Sequence, residues 1–194
     1  MMRGDRVYKI CHSEESSKRQ RALERGLLEA MGQQSYGKIM LTELCRQLEI
    51  PRKSFYRYFP TKDDCLLALI DHTLADCNTV ALTGWEGDRA LKRSHLLRFF
   101  AYWRAQEAFL DAVRDNDLRY LLLDRTTVIV DAMKENDPPE PFARNQVEYF
   151  IAHGLMVTVL RWHHHGFPGT VEDMADTFSR LLHSPDISIT RLLL

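Results

Sequence analysis

Apolar residues recur at helical spacing along almost the whole chain. Leu66, Ile70 and Leu74 give one example, and such four-residue steps place apolar side chains on one face of a helix. The run Thr126–Val130 has the composition of a strand, but no second run of this kind exists with which it could pair. Because an isolated strand leaves its backbone groups without hydrogen-bond partners, a helix is the better interpretation. The sequence therefore predicts an all-α fold.

Glycine and proline residues mark the ends of the predicted helices. Pro51 is tolerated in a first turn and opens a short helix, and Pro60 closes it. Thr61 and Asp64 are spaced as a capping box for the helix that follows. The predicted helices cover residues 16–32, 41–48, 52–59, 62–82, 88–105, 106–115, 117–136, 141–165 and 170–183, with breaks at 84–87, 137–141 and 166–169.

The composition is that of an ordinary globular protein, with 45% hydrophobic and 27% charged residues in a chain of 194. No run of eighteen apolar residues suggests a membrane span, and residues 1–10 carry four charges where a signal peptide needs an apolar stretch. We expect a cytoplasmic protein without a membrane partner.

The sequence contains four cysteines, Cys11, Cys45, Cys65 and Cys77, and no two of them form a CxxC pair. Buried reduced thiols are therefore a better interpretation than a zinc site or disulfides.

The charge is unevenly distributed although the net charge is −1. Residues 1–60 contain 12 Lys and Arg against 7 Asp and Glu, a balance of +5. Residues 61–194 contain 14 against 20, a balance of −6. A basic N-terminal third followed by an acidic remainder indicates an N-terminal anion-binding domain and a second region with a different function.

Two short predicted helices, 41–48 and 52–59, are joined by a tight turn and preceded by an amphipathic helix, which is typical of a helix-turn-helix. The second helix of this motif enters the major groove of DNA. Phe55 and Phe59, four residues apart, are expected to face the domain core. The other side chains of this helix are basic, hydroxyl-bearing or phenolic, and they suit contacts with base edges and phosphates.

The tract 55–64, Phe-Tyr-Arg-Tyr-Phe-Pro-Thr-Lys-Asp-Asp, combines aromatic residues with the capped start of a fourth helix. Together with earlier positions, it resembles the DNA-binding signature of the tetracycline-repressor (TetR) family over about residues 17–70. The positions that carry this resemblance are Leu44, Cys45, Leu48, Ile50, Ser54, Phe55, Tyr56, Tyr58, Phe59 and Lys62.

The resemblance implies an N-terminal three-helix helix-turn-helix domain that binds double-stranded palindromic operator DNA. It also implies a larger C-terminal helical domain for ligand binding and dimerisation. The expected function is that of a homodimeric transcriptional regulator, a repressor relieved by an unknown small-molecule effector. Neither an enzymatic activity nor a cofactor is expected. The implied DNA-binding residues are Arg52, Lys53, Ser54, Tyr56, Arg57 and Lys62.

Three positions depart from the family pattern. Glu49 stands where the family usually has the turn glycine, Pro51 where it favours a small hydroxyl residue, and Met40 where a threonine commonly caps the second helix. A left-handed Glu49 costs roughly 1 kcal/mol relative to glycine, and a missing cap at Met40 costs about the same. The motif is expected to tolerate both.

The C-terminal region contains two sets of candidate residues. Aromatic and sulfur-containing side chains are expected to line an effector pocket between helices. The helices at 141–165 and 170–183, apolar on more than one face, are expected to pair with those of a second copy. The ligand-binding candidates are Phe99, Trp103, Tyr120, Met133, Tyr149 and Met156, and the dimer-interface candidates are Ile151, Leu155, Val159, Trp162, Met174, Phe178 and Leu181.

The histidines 163–165, with His153, leave a second interpretation open, a helical metal-binding enzyme that uses these C-terminal histidines. Neighbouring helical residues point about 100° apart, so three adjacent histidines cannot hold one ion unless the helix unwinds. A helix end capped by histidine and by a left-handed Gly166 is the favoured interpretation, and no metal site is predicted.

The predicted organisation has four parts. They are an N-terminal extension (1–16), a helix-turn-helix DNA-binding domain (17–65), an effector-binding and dimerisation domain (66–184) and a C-terminal tail (185–194).

Overall fold

A computed structural model describes residues 8, 9, 11, 13–83, 92–134 and 142–183, and this part of the chain contains helices and no strand. None of its helices is long and apolar enough to cross a membrane. The helices are α1 (Glu14–Gln33), α2 (Leu41–Gln47), α3 (Arg52–Tyr56), α4 (Lys62–Ala81), α5 (Arg93–Ala105), α6 (Glu107–Asp115), α7 (Arg119–Lys134), α8 (Phe142–His164) and α9 (Val171–His183), with a short 3-10 helix (Tyr36–Lys38) between α1 and α2.

The predicted all-α fold is confirmed, and every predicted helix has a counterpart in the structure. The run Thr126–Val130 lies inside α7, where the Thr126 hydroxyl donates to the carbonyl of Leu122 at 2.9 Å. Helix α3 is shorter than predicted because the Tyr58 N–H donates to the Phe55 carbonyl in a tighter, three-residue turn.

Several expectations concern residues outside the described part of the chain. These are the breaks at 84–87 and 137–141, most of the extension 1–16 and the tail 185–194. The predicted domain boundary at 65/66 falls inside α4.

Side-chain caps begin two of the long helices. The Ser13 hydroxyl accepts the Ser16 N–H at the start of α1. At the start of α4, the Thr61 hydroxyl accepts the Asp64 N–H at 3.1 Å, and the Asp64 carboxylate accepts the Thr61 N–H at 2.8 Å. The predicted capping box is therefore confirmed, and it sets the point at which the chain leaves α3 and starts α4.

Helices α1, α2 and α3 pack around a small apolar core, and we call these residues, 14–59, the reading head. The core includes Phe55, Phe59, Leu27 and Leu44, all essentially buried. Gly26 of α1 faces the end of α2, and a Cβ at this position would lie 2.4 Å from a methyl carbon of Leu48. The missing side chain thus allows α1 to approach the turn between α2 and α3.

Helix α4 continues from the reading head into the rest of the protein and contacts α1, α5 and α7. We call helices α5–α9 the helical body. Its centre is aromatic: Phe100, Trp103 and Phe109 are buried, and α5 packs along α9. Helix α4 therefore packs against both the reading head and the helical body.

The cysteines differ in their access to solvent. Cys45, Cys65 and Cys77 are free and buried, whereas Cys11 is free and partly exposed. Burial raises the pKa of the Cys45 and Cys65 thiols, and it raises the pKa of Cys77 to about 12. Because the thiolate is the reactive form, the three buried thiols are doubly protected from reagents in water.

We predict that a thiol reagent at pH 8 labels Cys11 in the native protein and the other three cysteines at least about 100-fold more slowly. All four should react once the protein is denatured. Stopped-flow labelling with mass spectrometry gives the four rates, and Cys11→Ser should leave no fast-reacting thiol. Rapid labelling of two or more thiols in the folded chain would contradict this prediction.

Candidate DNA-binding site

The turn between α2 and α3 determines how these two helices cross. The Ile50 N–H donates to the Cys45 carbonyl at 2.9 Å, and the Glu49 N–H donates to the Arg46 carbonyl at 3.1 Å. Glu49 has a φ of 53°, so it occupies the left-handed position where glycine usually ends a helix. The expected left-handed Glu49 is confirmed, and the turn forms in spite of its side chain.

Helix α3 has one buried and one exposed side. Phe55 and Phe59 have no exposed surface, and their ring centroids lie 5.4 Å apart, which confirms the expectation that both face the core. The opposite side presents its side chains to solvent. Of the predicted DNA-binding residues, Arg52, Lys53, Tyr56 and Arg57 are exposed and Ser54 is partly exposed.

Arg52 and Tyr56 contact each other on this exposed side. The Arg52 Nη2 donates to the Tyr56 hydroxyl at 2.8 Å, and the guanidinium carbon lies 5.6 Å from the centre of the tyrosine ring. Their separation of four residues places them one above the other on the helix. The contact holds the guanidinium in one orientation, which lowers the entropy that Arg52 would lose on pairing with a base edge or a phosphate.

Lys62 differs from the other candidates because its ammonium already has protein partners. Its Nζ donates to the Tyr36 carbonyl at 2.7 Å and to the Ile39 carbonyl at 2.8 Å, and it lies 4.1 Å from the centre of the Tyr36 ring. Lys62 therefore ties the start of α4 to the segment before α2. Two of its three N–H donors are used in this tie, which leaves one for a phosphate.

Tyr36 completes this junction. Its hydroxyl donates to the Asp63 carboxylate, and burial together with this carboxylate raises the pKa of the phenol far above its usual value. Its N–H donates to the Asn116 side-chain oxygen at 2.5 Å, which links the reading head to the end of α6. The phenol thus remains a donor over the whole physiological pH range.

The structure adds exposed residues just before α2 that sequence reasoning did not select as DNA-binding residues. Lys38 and Met40 precede α2, both are exposed, and Met40 has 69% of its surface accessible. No side chain caps the start of α2, as expected for Met40. The one signal in the sequence was the basic charge of Lys38 within a turn, and this signal alone does not distinguish it from any surface lysine.

The ligand-binding candidates do not form one cluster. Trp103 and Met156 are buried in the body, and Phe99 packs against Trp103 with ring centroids 6.4 Å apart. Tyr149 is partly exposed, and its hydroxyl donates to Asp131. Tyr120 is 84% exposed and Met133 is 51% exposed, so these two do not line the interior of this chain. Their positions in the sequence fit a helical stripe, but the packing of α7 turns them outward.

The dimer-interface candidates also separate into two groups. Leu155, Val159 and Trp162 are buried in the chain's own core and are unavailable to a partner. Phe178 packs on Phe100 at a centroid distance of 5.4 Å. The partly exposed candidates are Ile151, Met174 and Phe178, and Leu181 is exposed. Both faces of α8 are apolar, and the sequence alone could not indicate which of them packs on the other helices of the chain, chiefly α7.

The C-terminal histidines have partners of their own. His163 is buried, and its Nε2 lies 3.0 Å from the Asp111 carboxylate. His153 places one ring nitrogen at the Tyr149 carbonyl and the other near Thr127. Among the described residues, no three side chains that could hold a metal ion come together.

The end of α8 has the expected backbone form. Gly166 has a φ of 73°, and the Phe167 N–H donates to the Trp162 carbonyl at 2.8 Å. This pattern is the glycine cap predicted for Gly166. The expected contact between histidine and the free carbonyls is replaced at His163 by the contact with Asp111.

Residues 26–69 match the family model described as bacterial regulatory proteins, tetR family. The match covers the last eight residues of α1, the whole of α2 and α3 and the first eight residues of α4. The resemblance inferred from the tract 55–64 is therefore confirmed for the DNA-binding domain.

Among solved structures, the chain is similar to one described as the dihydroxyacetone kinase operon activator DhaS. The TM-score is 0.55 and the sequence identity is 18%, over 84% of this chain and 93% of that chain. At this identity the likeness concerns the fold, which the two proteins share along most of their length. No curated protein matches the sequence significantly.

We predict that Glu49→Gly stabilises the protein by about 1 kcal/mol, because glycine adopts a left-handed backbone without a steric cost. Thermal and urea unfolding should both show the increase. The matched control is Arg25→Gly, at an exposed position in the interior of α1, which should destabilise the protein by about 1 kcal/mol. If both substitutions changed the free energy of unfolding by the same amount, Glu49 would not have the left-handed conformation described here.

Proposed function

We propose that this chain, in which residues 26–69 form a tetR-family DNA-binding domain, is a homodimeric transcriptional regulator that binds palindromic operator DNA. The observation that supports this most directly is the exposed side of α3. Arg52, Lys53 and Tyr56 project from it, while Phe55 and Phe59 fix its other side in the core. Base edges would be read by these three residues, and Ser54, Arg57 and Lys62 would contact the backbone or neighbouring bases.

The charge distribution supports the same function. The balance of +5 over residues 1–60 lies in the part of the chain that contains α1–α3, and the acidic remainder forms α4–α9. A basic reading head on an acidic body favours approach to DNA through the head.

A regular exposed stripe on α8 supports dimerisation. Val147, Phe150, Gly154 and Val157 follow one another at steps of three or four residues, and all four are exposed. Phe150 has 78% of its surface accessible, which is unusual for so large an apolar side chain. We therefore assign the interface to this stripe and to the exposed Leu181 of α9, instead of to the buried residues of α8.

A symmetric pairing of α8 and α9 from two chains would form a four-helix interface. The two copies of α3 would then lie about one turn of DNA apart, roughly 34 Å, which matches a palindromic site.

The helical body is proposed to bind a small-molecule effector. Trp103 supports this proposal because its Nε1 is buried without a conventional hydrogen-bond partner, and the Cys77 thiol beside it is a weak acceptor. An apolar or aromatic effector that carries an acceptor oxygen would satisfy this donor. A thermal-shift screen, repeated with operator DNA present, identifies compounds that stabilise the free protein and weaken DNA binding.

We propose repression, relieved by the effector, as the mode of action. The structurally similar DhaS is described as an operon activator, so the direction of regulation has to be measured. A reporter gene downstream of the selected operator, with and without this protein, distinguishes the two modes. Higher reporter output in the presence of the protein would replace repression with activation.

We predict that Arg52→Ala weakens binding by roughly 1 to 3 kcal/mol, and that this loss depends on the identity of one base pair of the operator.

For Lys62→Ala we predict a loss of affinity that is the same for all DNA sequences. The slope of the logarithm of the binding constant against the logarithm of the salt concentration should become shallower by about one. Operators are first selected from genomic fragments, and affinities are then measured by fluorescence anisotropy over a range of salt concentrations.

Two controls accompany this measurement. Lys18→Ala removes an exposed lysine of α1 that pairs with Glu14, and it should leave the sequence preference unchanged. The unfolding temperature of Lys62→Ala shows how much of its effect comes from the lost contacts with Tyr36 and Ile39. If the folded parent binds DNA without sequence preference, or not at all, the proposed function is wrong.

We predict that Phe150→Asp converts the dimer into a folded monomer, because a charge in the paired stripe opposes burial. Tyr120→Asp, at a similarly exposed aromatic residue of α7, should leave the dimer intact. Sedimentation equilibrium gives the mass, and circular dichroism shows whether the helices remain. Phe178 is a poorer test site because it packs on Phe100 within the chain. A parent that is monomeric at micromolar concentration would defeat the proposal.

A further inference from the structure

Tyr8, Lys9 and Cys11 precede α1, and we call these three residues the arm. The Lys9 N–H donates to the Tyr58 carbonyl, just beyond α3, at 3.2 Å. The Lys9 carbonyl accepts a hydrogen bond from the buried Gln20 side chain of α1 at 3.1 Å. Both backbone groups of one residue therefore hold the arm against the head.

Tyr8, the preceding residue, leaves the head and lies against the middle of α4. Its ring is buried and meets the His72 ring edge-on at a centroid distance of 5.7 Å. Its hydroxyl donates to the Asp71 carboxylate at 2.7 Å. The arm thus joins the end of α3 to the centre of α4 through two neighbouring residues.

Asp71 is at the same time the partner of Arg125 on α7. The Arg125 Nε donates to one carboxylate oxygen at 2.6 Å and its Nη2 donates to the other at 2.7 Å. The exposed fractions of these side chains are 9% for Arg125 and 2% for Asp71. A buried ion pair has a high desolvation cost, so it is stable only in good geometry, and a shift of α7 would disturb it.

The direction of the arm argues against a direct contact with DNA. Asp71 lies nine residues beyond Lys62 in α4, which at 1.5 Å per residue is about 14 Å from the end of α4 that faces the DNA-binding helices. Between Lys9 and Tyr8 the chain passes from the head toward the body. The arm is thus placed to connect the two and not to extend the DNA-contacting surface.

We propose that Tyr8 is a positioning residue for DNA binding, which latches the reading head to α4 and, through Asp71 and Arg125, to α7. The latch holds the head at one angle to the body. In a dimer, this angle sets the separation of the two copies of α3, and a shift of α7 is passed to the head through the arm. The inference rests on the proposed DNA-binding function.

The test compares two tyrosines that each donate one hydrogen bond to α4. Tyr8→Phe keeps the ring and removes only the hydroxyl that contacts Asp71. Tyr102→Phe, the matched control, removes a hydroxyl that donates to the Thr73 carbonyl at 2.8 Å and belongs to α5 instead of the arm. Both variants should fold and lose a similar amount of thermal stability.

Operator affinity is measured for each variant with the selected half-site spacing and with a spacing one base pair longer. For Tyr8→Phe, the ratio of the two affinities should fall by about threefold or more, because the head turns more freely. For Tyr102→Phe, the ratio should equal that of the parent. An unchanged ratio in a dimeric, folded Tyr8→Phe protein would overturn the latch, since a purely stabilising contact would not alter spacing preference.

Amide hydrogen exchange separates failure of the latch from failure of the proposed function. Exchange over residues 44–59 should be about threefold faster in Tyr8→Phe than in Tyr102→Phe without any DNA present. If the parent binds no operator, the DNA-binding proposal fails. The role of Tyr8 in holding the reading head is then tested only by the exchange rates of the two variants. Equal exchange in the two variants would then exclude it.

Discussion

Burial of Phe55 and Phe59 is the constraint on which the reading head depends. Both rings lie in the core formed with α1 and α2, and neither has exposed surface. While these two rings are buried, Arg52, Lys53 and Tyr56 remain exposed to solvent. The candidate DNA-binding surface is therefore a consequence of core packing. Neighbouring contacts, such as that between Arg52 and Tyr56, then restrict how the exposed side chains are oriented.

Helix α4 carries this arrangement into the rest of the protein. Its start is held by the capping box of Thr61 and Asp64 and by the contacts of Lys62 with the segment before α2. Its middle carries Asp71, which binds Arg125 and Tyr8 in a buried site. Replacing such a buried pair by apolar residues is often neutral or stabilising, so we interpret its role here as fixing the position of α7 relative to α4.

The helical body shows why an apolar helix is hard to interpret from its sequence. Helix α8 is apolar on several faces: one contains Leu155 and Val159 and is buried within the chain, and another contains Phe150 and Val157 and is exposed. The apolar residues that are free to contact a second copy can be identified only once the residues buried within the chain are known. The exposed stripe then supports pairing with a second copy, which would in turn set the separation of the two reading heads.

The sequence by itself determined the all-α fold, the positions of the helices and the reading head, because helical periodicity, proline, glycine and capping residues act over a few neighbouring positions. It also identified Phe55 and Phe59 as core residues and Glu49 as the left-handed turn residue. Only the tertiary structure decided the contacts between distant segments: Lys62 with the Tyr36 carbonyl, His163 with Asp111, and Tyr8 with Asp71. These contacts depend on how helices far apart in the chain pack, and local spacing carries no information about that packing.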